Sequence, residues 1–272
     1  MKIDLQEPVF IEDDDLSRVW SRAFLQIFDH PGTTIEPLLV SVTGFADTGE
    51  VIEDAALRAA LDACLQAEGR RDIEAVAWTI FPQDLWRFAQ PDRHRLFELY
   101  KETYPRFREL NMAQNSRGLY FERLIAFGSG PMDGNQLEWI ISQYGDRPSV
   151  RRSMLQAAIF DPARDHVATA QLGFPCLQQV SFVPDGRSLT LNASYATQQL
   201  YDKAYGNWLG LCRLGHFMAH EMGLTFTRLN CFSGIEKLER ISKTATSLVP
   251  VVEAARSCVA AAHVLAEGGA RS

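Results

Sequence analysis

The chain has 272 residues, 46% of them hydrophobic and 10% aromatic, enough to bury a substantial core in one large domain or two small ones. Its formal net charge of -7 argues against a non-specific nucleic-acid binder, which needs a basic face, yet leaves room for a local basic pocket holding one small phosphate. No apolar run approaches the ~20 residues of a membrane span, and MKIDLQEPVFIEDDD is acidic without an apolar core, so neither membrane association nor a secretory or transit leader is expected.

In chain order, DDDLSRVWSRAFLQIF reads as an amphipathic helix, with Asp13, Asp14 and Asp15 at its N-terminus and Leu16, Val19, Trp20, Phe24 and Ile27 as the apolar stripe. IEPLLVSVTGF predicts a strand ended by Gly44, and DAALRAALDACLQAEG a helix stopped at Gly69. IEAVAWTIF, apolar and β-rich, predicts a buried strand. PDRHRLFELYKETYPRFREL predicts a charged helix broken or ended at Pro105. GNQLEWIISQYG reads as a short helix closed by Gly145, and RRSMLQAAIF as a strand with Arg151 and Arg152 at its entrance. CLQQVSFVPDGRSLTLNASYAT predicts a β-hairpin turning at Pro184-Asp185-Gly186. A long, almost wholly apolar helix (YGNWLGLCRLGHFMAHEMGL), a strand near LTFTRLNCF and a helix from about Ser247 to Ala266 complete the chain. No repeat or Pro/Gly/Ser-rich linker divides it. Residues 1–272 therefore read as a single α+β domain, its helices packed on a large mixed sheet.

Five cysteines (Cys64, Cys176, Cys212, Cys231, Cys258) are odd in number and scattered, with no CxxC pair, so free thiols in a reducing, cytoplasmic compartment are expected. Cys176 stands out. Pro175 forces Phe174 toward an extended conformation, which places the thiol at an element boundary, and an arginine pair lies shortly before it. A thiolate is a soft nucleophile when its pKa is lowered or a cation is adjacent; a cysteine in a strand is also a common buried hydrophobe.

The order of these segments resembles thymidylate synthase and its relatives, the deoxycytidylate and cytidylate hydroxymethylases. In that family an arginine pair opens a strand ending in a WNP-like triplet; here RRSMLQAAIFDP carries Arg151 and Arg152 and then Phe160-Asp161-Pro162. The family's nucleophile sits in PPCH; here FPCL gives Cys176. VPDGRSL, SYATQQLYD and AYGNWLGLCRLGHFMAHEMGL follow where the family has a DGxL turn, YQRSxD and LGxPFN. The resemblance runs from about Ser116 to Leu238, is faint from Leu16 to Asn115 and fails in roughly the last thirty residues. It implies a thymidylate synthase-like fold and C5 methyl or hydroxymethyl transfer to a pyrimidine nucleoside monophosphate. The donor would be 5,10-methylenetetrahydrofolate, acting through a covalent adduct between Cys176 and C6. It also implies a homodimer in which Arg151 and Arg152 grip the phosphate across the interface. Asn207 would face the base edge, Gln198 would lie in the substrate site, Tyr120 would help remove the C5 proton and Glu74 would be a general acid/base. An N-cap role suits Asn207 equally as a residue type, and Tyr120 fits a buried structural tyrosine.

Several family features are missing. Thr197, Gln198 and Gln199 occupy the region of the own-subunit phosphate arginine. HPGTTIEP replaces an RTGT loop, so His30 would have to be protonated to serve there. Leu177 follows the nucleophile where the family has histidine, and NCFSGIEKLE stands in place of HxY. These losses point to an altered substrate, or to a relative that binds a nucleotide without turning it over. A separate reading takes His216 and His220, at i,i+4 spacing, with Glu221 or His166 as ligands of a metallohydrolase, though the pattern is not HExxH.

Overall fold

A computed structural model of the chain describes residues 7–109, 118–146, 149–168 and 174–269, with only the backbone for 262–269. Parts of the resemblance, including its start at Ser116 and Gly173 of GFPC, lie outside the described residues.

Strand β1 (Val9–Asp13) pairs in parallel with β3 (Leu38–Val42) through helix α1 (Leu16–Asp29), and the two-residue β2 (Thr34–Ile35) lies between. Asp15 caps α1 by accepting the Arg18 N–H at 3.1 Å. Asp13 belongs to β1 and pairs with the Arg18 guanidinium at 2.6 Å. The expected apolar stripe of α1 is wholly buried, and Trp20 stacks on Phe24 with centroids 4.8 Å apart. Burying each such side chain stabilises the fold by about 1.5–3 kcal/mol.

Helices α2 (Ala55–Ala67), α3 (Ile73–Trp78), α4 (Gln83–Ala89) and α5 (Arg93–Glu109) follow. Segment 73–78, expected as a buried strand, is the helix α3. Asp72 caps it, accepting the Ala75 N–H at 2.6 Å. Its buried positions Ile73, Val76 and Ala77 have helical spacing. A short apolar run fits either element, and here the cap decides. Helix α5 runs through Pro105 without ending there. Thr103 Oγ donates to the Leu99 carbonyl at 2.7 Å in the turn before it.

Helix α6 (Tyr120–Ile125) and α7 (Gln136–Asp146) lead to the short β4 (Gln156–Ala158) and the single turn α8 (Pro162–Asp165). The strand expected from Arg151 is thus only three residues long; Arg152 lies in a 3-10 turn and Arg151 caps it. The expected hairpin is β5 (Leu177–Asp185) with β6 (Ser188–Gln199), turning at Gly186-Arg187, where Gly186 takes a φ of +59° that suits glycine. A π-helical turn (Leu200–Ala204) runs directly into α9 (Tyr205–Glu221), the central helix. Strand β7 (Thr225–Lys237) and helix α10 (Val249–Gly269) end the described chain.

The seven-stranded sheet has the order β1-β3-β7-β6-β5-β4, with β2 on the edge of β7. It is mixed: β1–β3 and β6–β7 are parallel, the other pairs antiparallel. This is the expected α+β class. One face carries the core under α1 and α9. Across the other, Phe10, Leu39 and Phe232 stand side by side in register and are exposed, 59%, 37% and 43%. Next to them Asn230 donates to Asn192 at 2.9 Å, and Arg228 to Ser41 at 2.5 Å, in a polar cross-strand row.

Helix α9 packs against α3 through two glycines. A Cβ at Gly206 would lie 2.6 Å from Val76 Cβ, and one at Gly210 2.7 Å from the Ala77 carbonyl oxygen. Only glycine lets the two backbones approach this closely, and the approach sets Val76 and Thr79 beside Asn207. No described helix is long and apolar enough to cross a membrane.

Candidate functional site

A cleft with about 230 Å³ of cavity volume opens at the start of β5. Residues from the end of β6, the first turn of α9, α3 and the start of α6 line it. Cys176, Tyr120, Gln198 and Asn207, four residues that the resemblance singles out, all line it.

Cys176 precedes β5 and is half-buried, whereas Cys64, Cys212, Cys231 and Cys258 are buried. Its Sγ lies 3.8 Å from Thr197 Oγ1, and its carbonyl accepts the Ala196 N–H at 3.0 Å, which ties the loop to β6. Burial pushes the thiol up; Thr197 and the ammonium of Lys237 pull it down, and Glu239 and Glu236 push it up again. At neutral pH the sulfur therefore keeps its proton in the free protein. Tyr120 opens α6 beside it. Its phenol is raised well above the ordinary value, first by burial and then by Cys176, so it too is protonated.

Gln198 is fixed by its own carbonyl: Oε1 accepts Trp208 Nε1–H at 3.2 Å and the Ser233 hydroxyl at 3.1 Å. Its Nε2 is buried and unpartnered among the described residues. Burial alternates along β6 as far as Tyr195 and changes phase at Gln198, turning this amide inward. Asn207 is 5% exposed and sits inside the continuous helix, so it is no N-cap; the residue preceding α9 is Ala204, with no capping side chain. An amide there can donate and accept toward a base edge.

Three other expected residues are elsewhere. Glu74 lies in the first turn of α3, half exposed and outside the cleft. Arg213 forks onto it at 2.6 and 2.8 Å and Arg58 joins them. These bonds, Arg213 first, lower its carboxyl to about 2. The expectation of a carboxylate in an apolar strand fails because the strand is a helix whose polar face carries Glu74. Arg151 and Arg152 are exposed and do not line the cleft of their own subunit; Arg152 reaches Asp185 at 3.4 Å.

His216, His220 and His166 do not meet at a common centre. His216 and His220 pack edge-on against Trp86, His220 pairs with Glu221 at 3.0 Å, and His166 lies against Phe160. Among the described residues no three His, Cys, Asp or Glu side chains converge. His30 Nδ1 accepts the Gly32 N–H at 3.0 Å, a turn contact away from the cleft.

Sequence reasoning missed Arg71, Lys203 and Arg240, which also line the cleft. Lys203 had a signal, since it stands four residues before Asn207 on one helical segment. Sequence reasoning also missed Glu236, fully buried on β7 in register with Gln198, both of its oxygens unpartnered among the described residues.

At the mouth, Leu119, Phe174 and Pro175 make an apolar wall on which a ring system would stack. No carboxylate lines the cleft among the described residues, and α10 packs on α1 and α2 and does not cover it. The described residues therefore do not make a closed folate site. Comparison with protein-family models and with curated proteins gives no match.

Proposed function

We propose that the chain binds a pyrimidine nucleoside monophosphate in this cleft and activates its C5 for one-carbon transfer by adding Cys176 to C6. The reading takes the thymidylate synthase-like fold and activity from the sequence resemblance. What supports it is one observation: Cys176, the half-buried cysteine, shares a cleft with Tyr120, Gln198 and Asn207.

In the reaction the thiol proton leaves, an Sγ–C6 bond forms and the C5=C6 π pair moves to C5, which gains enolate character. C5 then bonds to an electrophilic one-carbon unit and loses its proton. Release of sulfur from C6 restores the double bond. Methylenetetrahydrofolate is the donor the resemblance implies, but the described lining of the cleft does not fit it, so the source of the one-carbon unit is not assigned. Gln198 and Asn207 orient the base edge by amide hydrogen bonds, and Tyr120 holds a proton beside C5. The homodimer belongs to the same proposal, with the uncovered sheet face of Phe10, Leu39 and Phe232 as its surface. A monomer by light scattering would remove any cross-subunit role from Arg151 and Arg152.

The test is mass spectrometry of the protein after incubation with 5-fluoro-pyrimidine nucleotides, with and without methylenetetrahydrofolate. A covalent adduct on Cys176 that disappears in Cys176→Ser is expected, as is tritium release from C5-labelled dUMP, dCMP, UMP or CMP. The lack of any Asp, Glu or His along the cleft among the described residues favours a second reading, a nucleotide-binding relative without turnover. That reading predicts nucleotide binding with neither adduct nor tritium release.

A further inference from the structure

No carboxyl lines the Cys176 cleft among the described residues, yet one stands behind it. Strands β6 and β7 run parallel, in a register that sets Tyr195 beside Ser233, Thr197 beside Ile235 and Gln198 beside Glu236. Cys176 is tied to the other edge of β6. Its carbonyl accepts the Ala196 N–H at 3.0 Å, and its Sγ lies 3.8 Å from Thr197 Oγ1. Cys176 and Glu236 thus flank one strand, two strand spacings or about 10 Å apart.

Tyr195, Gln198 and Glu236 are 1%, 2% and 0% exposed. Each carries a polar end without a partner among the described residues: Tyr195 Oη, Gln198 Nε2 and both oxygens of Glu236. Tyr195 and Gln198 line the cleft, but these ends are themselves buried and so lie behind its surface. Gln198 is locked in orientation. Trp208 Nε1–H and the Ser233 hydroxyl both donate to its Oε1, at 3.2 and 3.1 Å, which leaves Nε2 a donor with no acceptor. The Ser233 proton is committed to that bond and leaves both Glu236 oxygens unpaired.

A buried carboxyl with no bond to the fold costs stability, so packing gives no reason for a glutamate at this position. Held neutral by burial, it is an acid at neutral pH. Tyr195, on the strand between, feels both neighbours: its phenol is raised by burial first, then by Tyr120, Cys231, Cys176 and Glu236. The other titratable groups coupled to Glu236 are the thiols of Cys176 and Cys231, both raised. On its other flank β2 presents Ile35, and Lys237, next along β7, turns to Glu239 at 3.5 Å.

We infer that Glu236 is the acid of the Cys176 cleft and delivers its proton to a bound ligand through the Tyr195 hydroxyl. Hydrogen bonds of this kind are commonly long in a free site and close around the ligand. In the proposed reaction negative charge passes to the pyrimidine as the Sγ–C6 bond forms. The Tyr195 O–H proton moves to the charged ligand oxygen, the Glu236 proton replaces it on Tyr195, and Glu236 is left a carboxylate. The transfer reverses when the carbonyl re-forms. Glu236 touches no ligand and is a positioning residue for the proton; it takes the acid/base role that the resemblance gives to Glu74. This chemical step rests on the proposed function, whereas the coupling of Glu236 to Cys176 does not.

The experiment has two arms, both on the full-length protein. In the first, Cys176 is modified with iodoacetamide, which leaves a neutral adduct, or with iodoacetate, which leaves a carboxylate; the other four cysteines are buried. The infrared band of protonated carboxyls is followed as pH rises from about 6 to about 10. Subtracting Glu236→Gln isolates the Glu236 band, because Glu53, Asp15 and Glu122 contribute to both proteins. Its midpoint should lie about one pH unit higher with the charged adduct, the effect of one charge at about 10 Å. Equal midpoints, or no band lost in Glu236→Gln, overturn the inference.

The second arm measures tritium release from the C5-labelled nucleotides beside nucleotide protection of Cys176 against iodoacetamide. Glu236→Gln and Tyr195→Phe should each slow tritium release by about a hundredfold. The half-protecting nucleotide concentration should change less than about threefold, because the proton moves only in the reaction. Thermal midpoints without ligand should show that both variants fold. Unchanged tritium release in either variant overturns the inference. If no pyrimidine nucleotide releases tritium from the unsubstituted protein, the transfer reading fails, and the infrared midpoints alone decide on Glu236.

Discussion

Glu236 offers the sharpest test of the fold around the cleft. It sits on β7, fully buried, paired in register with Gln198, and both of its oxygens lack partners among the described residues. Burial raises its carboxyl from 4.5 to about 8, against the lowering effect of the Ser233 hydroxyl. The native state therefore keeps a proton that the unfolded chain releases above pH 4.5. The stability this provides is fully present below that pH and is lost as pH rises through about 8. The whole interval is worth about 5 kcal/mol, at ~1.4 kcal/mol for each pH unit. Glu236→Gln removes the titration and keeps the shape. Urea unfolding followed by tryptophan fluorescence at about pH 5.5, 6.5 and 7.5 would measure the slope for both proteins. The difference between them should approach one proton, ~1.4 kcal/mol per pH unit, with the glutamine variant gaining relative stability as pH rises. Other raised acids, such as Glu53 and Asp15, contribute equally to both proteins and cancel. Parallel slopes would refute the dry, unpaired environment assigned to Glu236.

Arg123→Met should destabilise the protein by about 3–5 kcal/mol in the same assay. Arg123 forks onto buried Asp165 at 2.6 and 2.8 Å and donates to the Ile159 carbonyl at 2.8 Å, so its loss leaves a carboxylate stranded in the core. Gly210→Ala would set a Cβ 2.7 Å from the Ala77 oxygen and 2.9 Å from Ile80 Cβ; it should cost about 1–3 kcal/mol and weaken nucleotide protection of Cys176 by moving Val76 and Thr79. Iodoacetamide should modify Cys176 more slowly than a free thiol at neutral pH, with the rate still climbing above pH 9.0 because the thiol is raised; a plateau near neutrality would contradict this. Glu74→Gln should leave the rate of adduct formation within about twofold, whereas loss of a general acid/base would cost about a hundredfold or more.

The hairpin of β5 and β6 was legible because period-two alternation and the turn glycine Gly186 specify it locally. Helix α9 was legible from its length, and the motifs around Cys176, Tyr120 and Asn207 singled out three residues that line one cleft. Segment 73–78 was misread because a short, mostly apolar run fits a strand or a buried helix; Asp72 as a cap was the missed signal. Strand β1 escaped because its acidic end runs into the helix cap, and the pairing that makes VFIED a strand comes from β3. Gln198 turns inward through a change of phase that alternation does not foresee. Arg71 and Arg240 belong to loops that only the packed sheet and helices bring to Lys203, so no spacing in the sequence announces the cluster.

A nucleophilic thiol must lose its proton, and burial first, then Glu239 and Glu236, hold that of Cys176 in place. Most carboxylates near it are turned away or engaged, Glu239 by Lys237 at 3.5 Å and Gln199 Nε2 at 3.1 Å. Glu74 faces away, bound by Arg213 and Arg58. Asp202 faces Arg240. Glu236, which when ionised pushes the thiol up, is itself neutral below about pH 8. The burial that costs stability at Glu236 thus spares Cys176 a nearby carboxylate at neutral pH, while Lys237 draws the thiol down. A thiolate and a doubly charged phosphate make the same demand on a site, for cations close by and carboxylates neutralised or distant. Arg71, Lys203 and Arg240 line the same cleft, and the protonated Glu236 answers that demand for the sulfur.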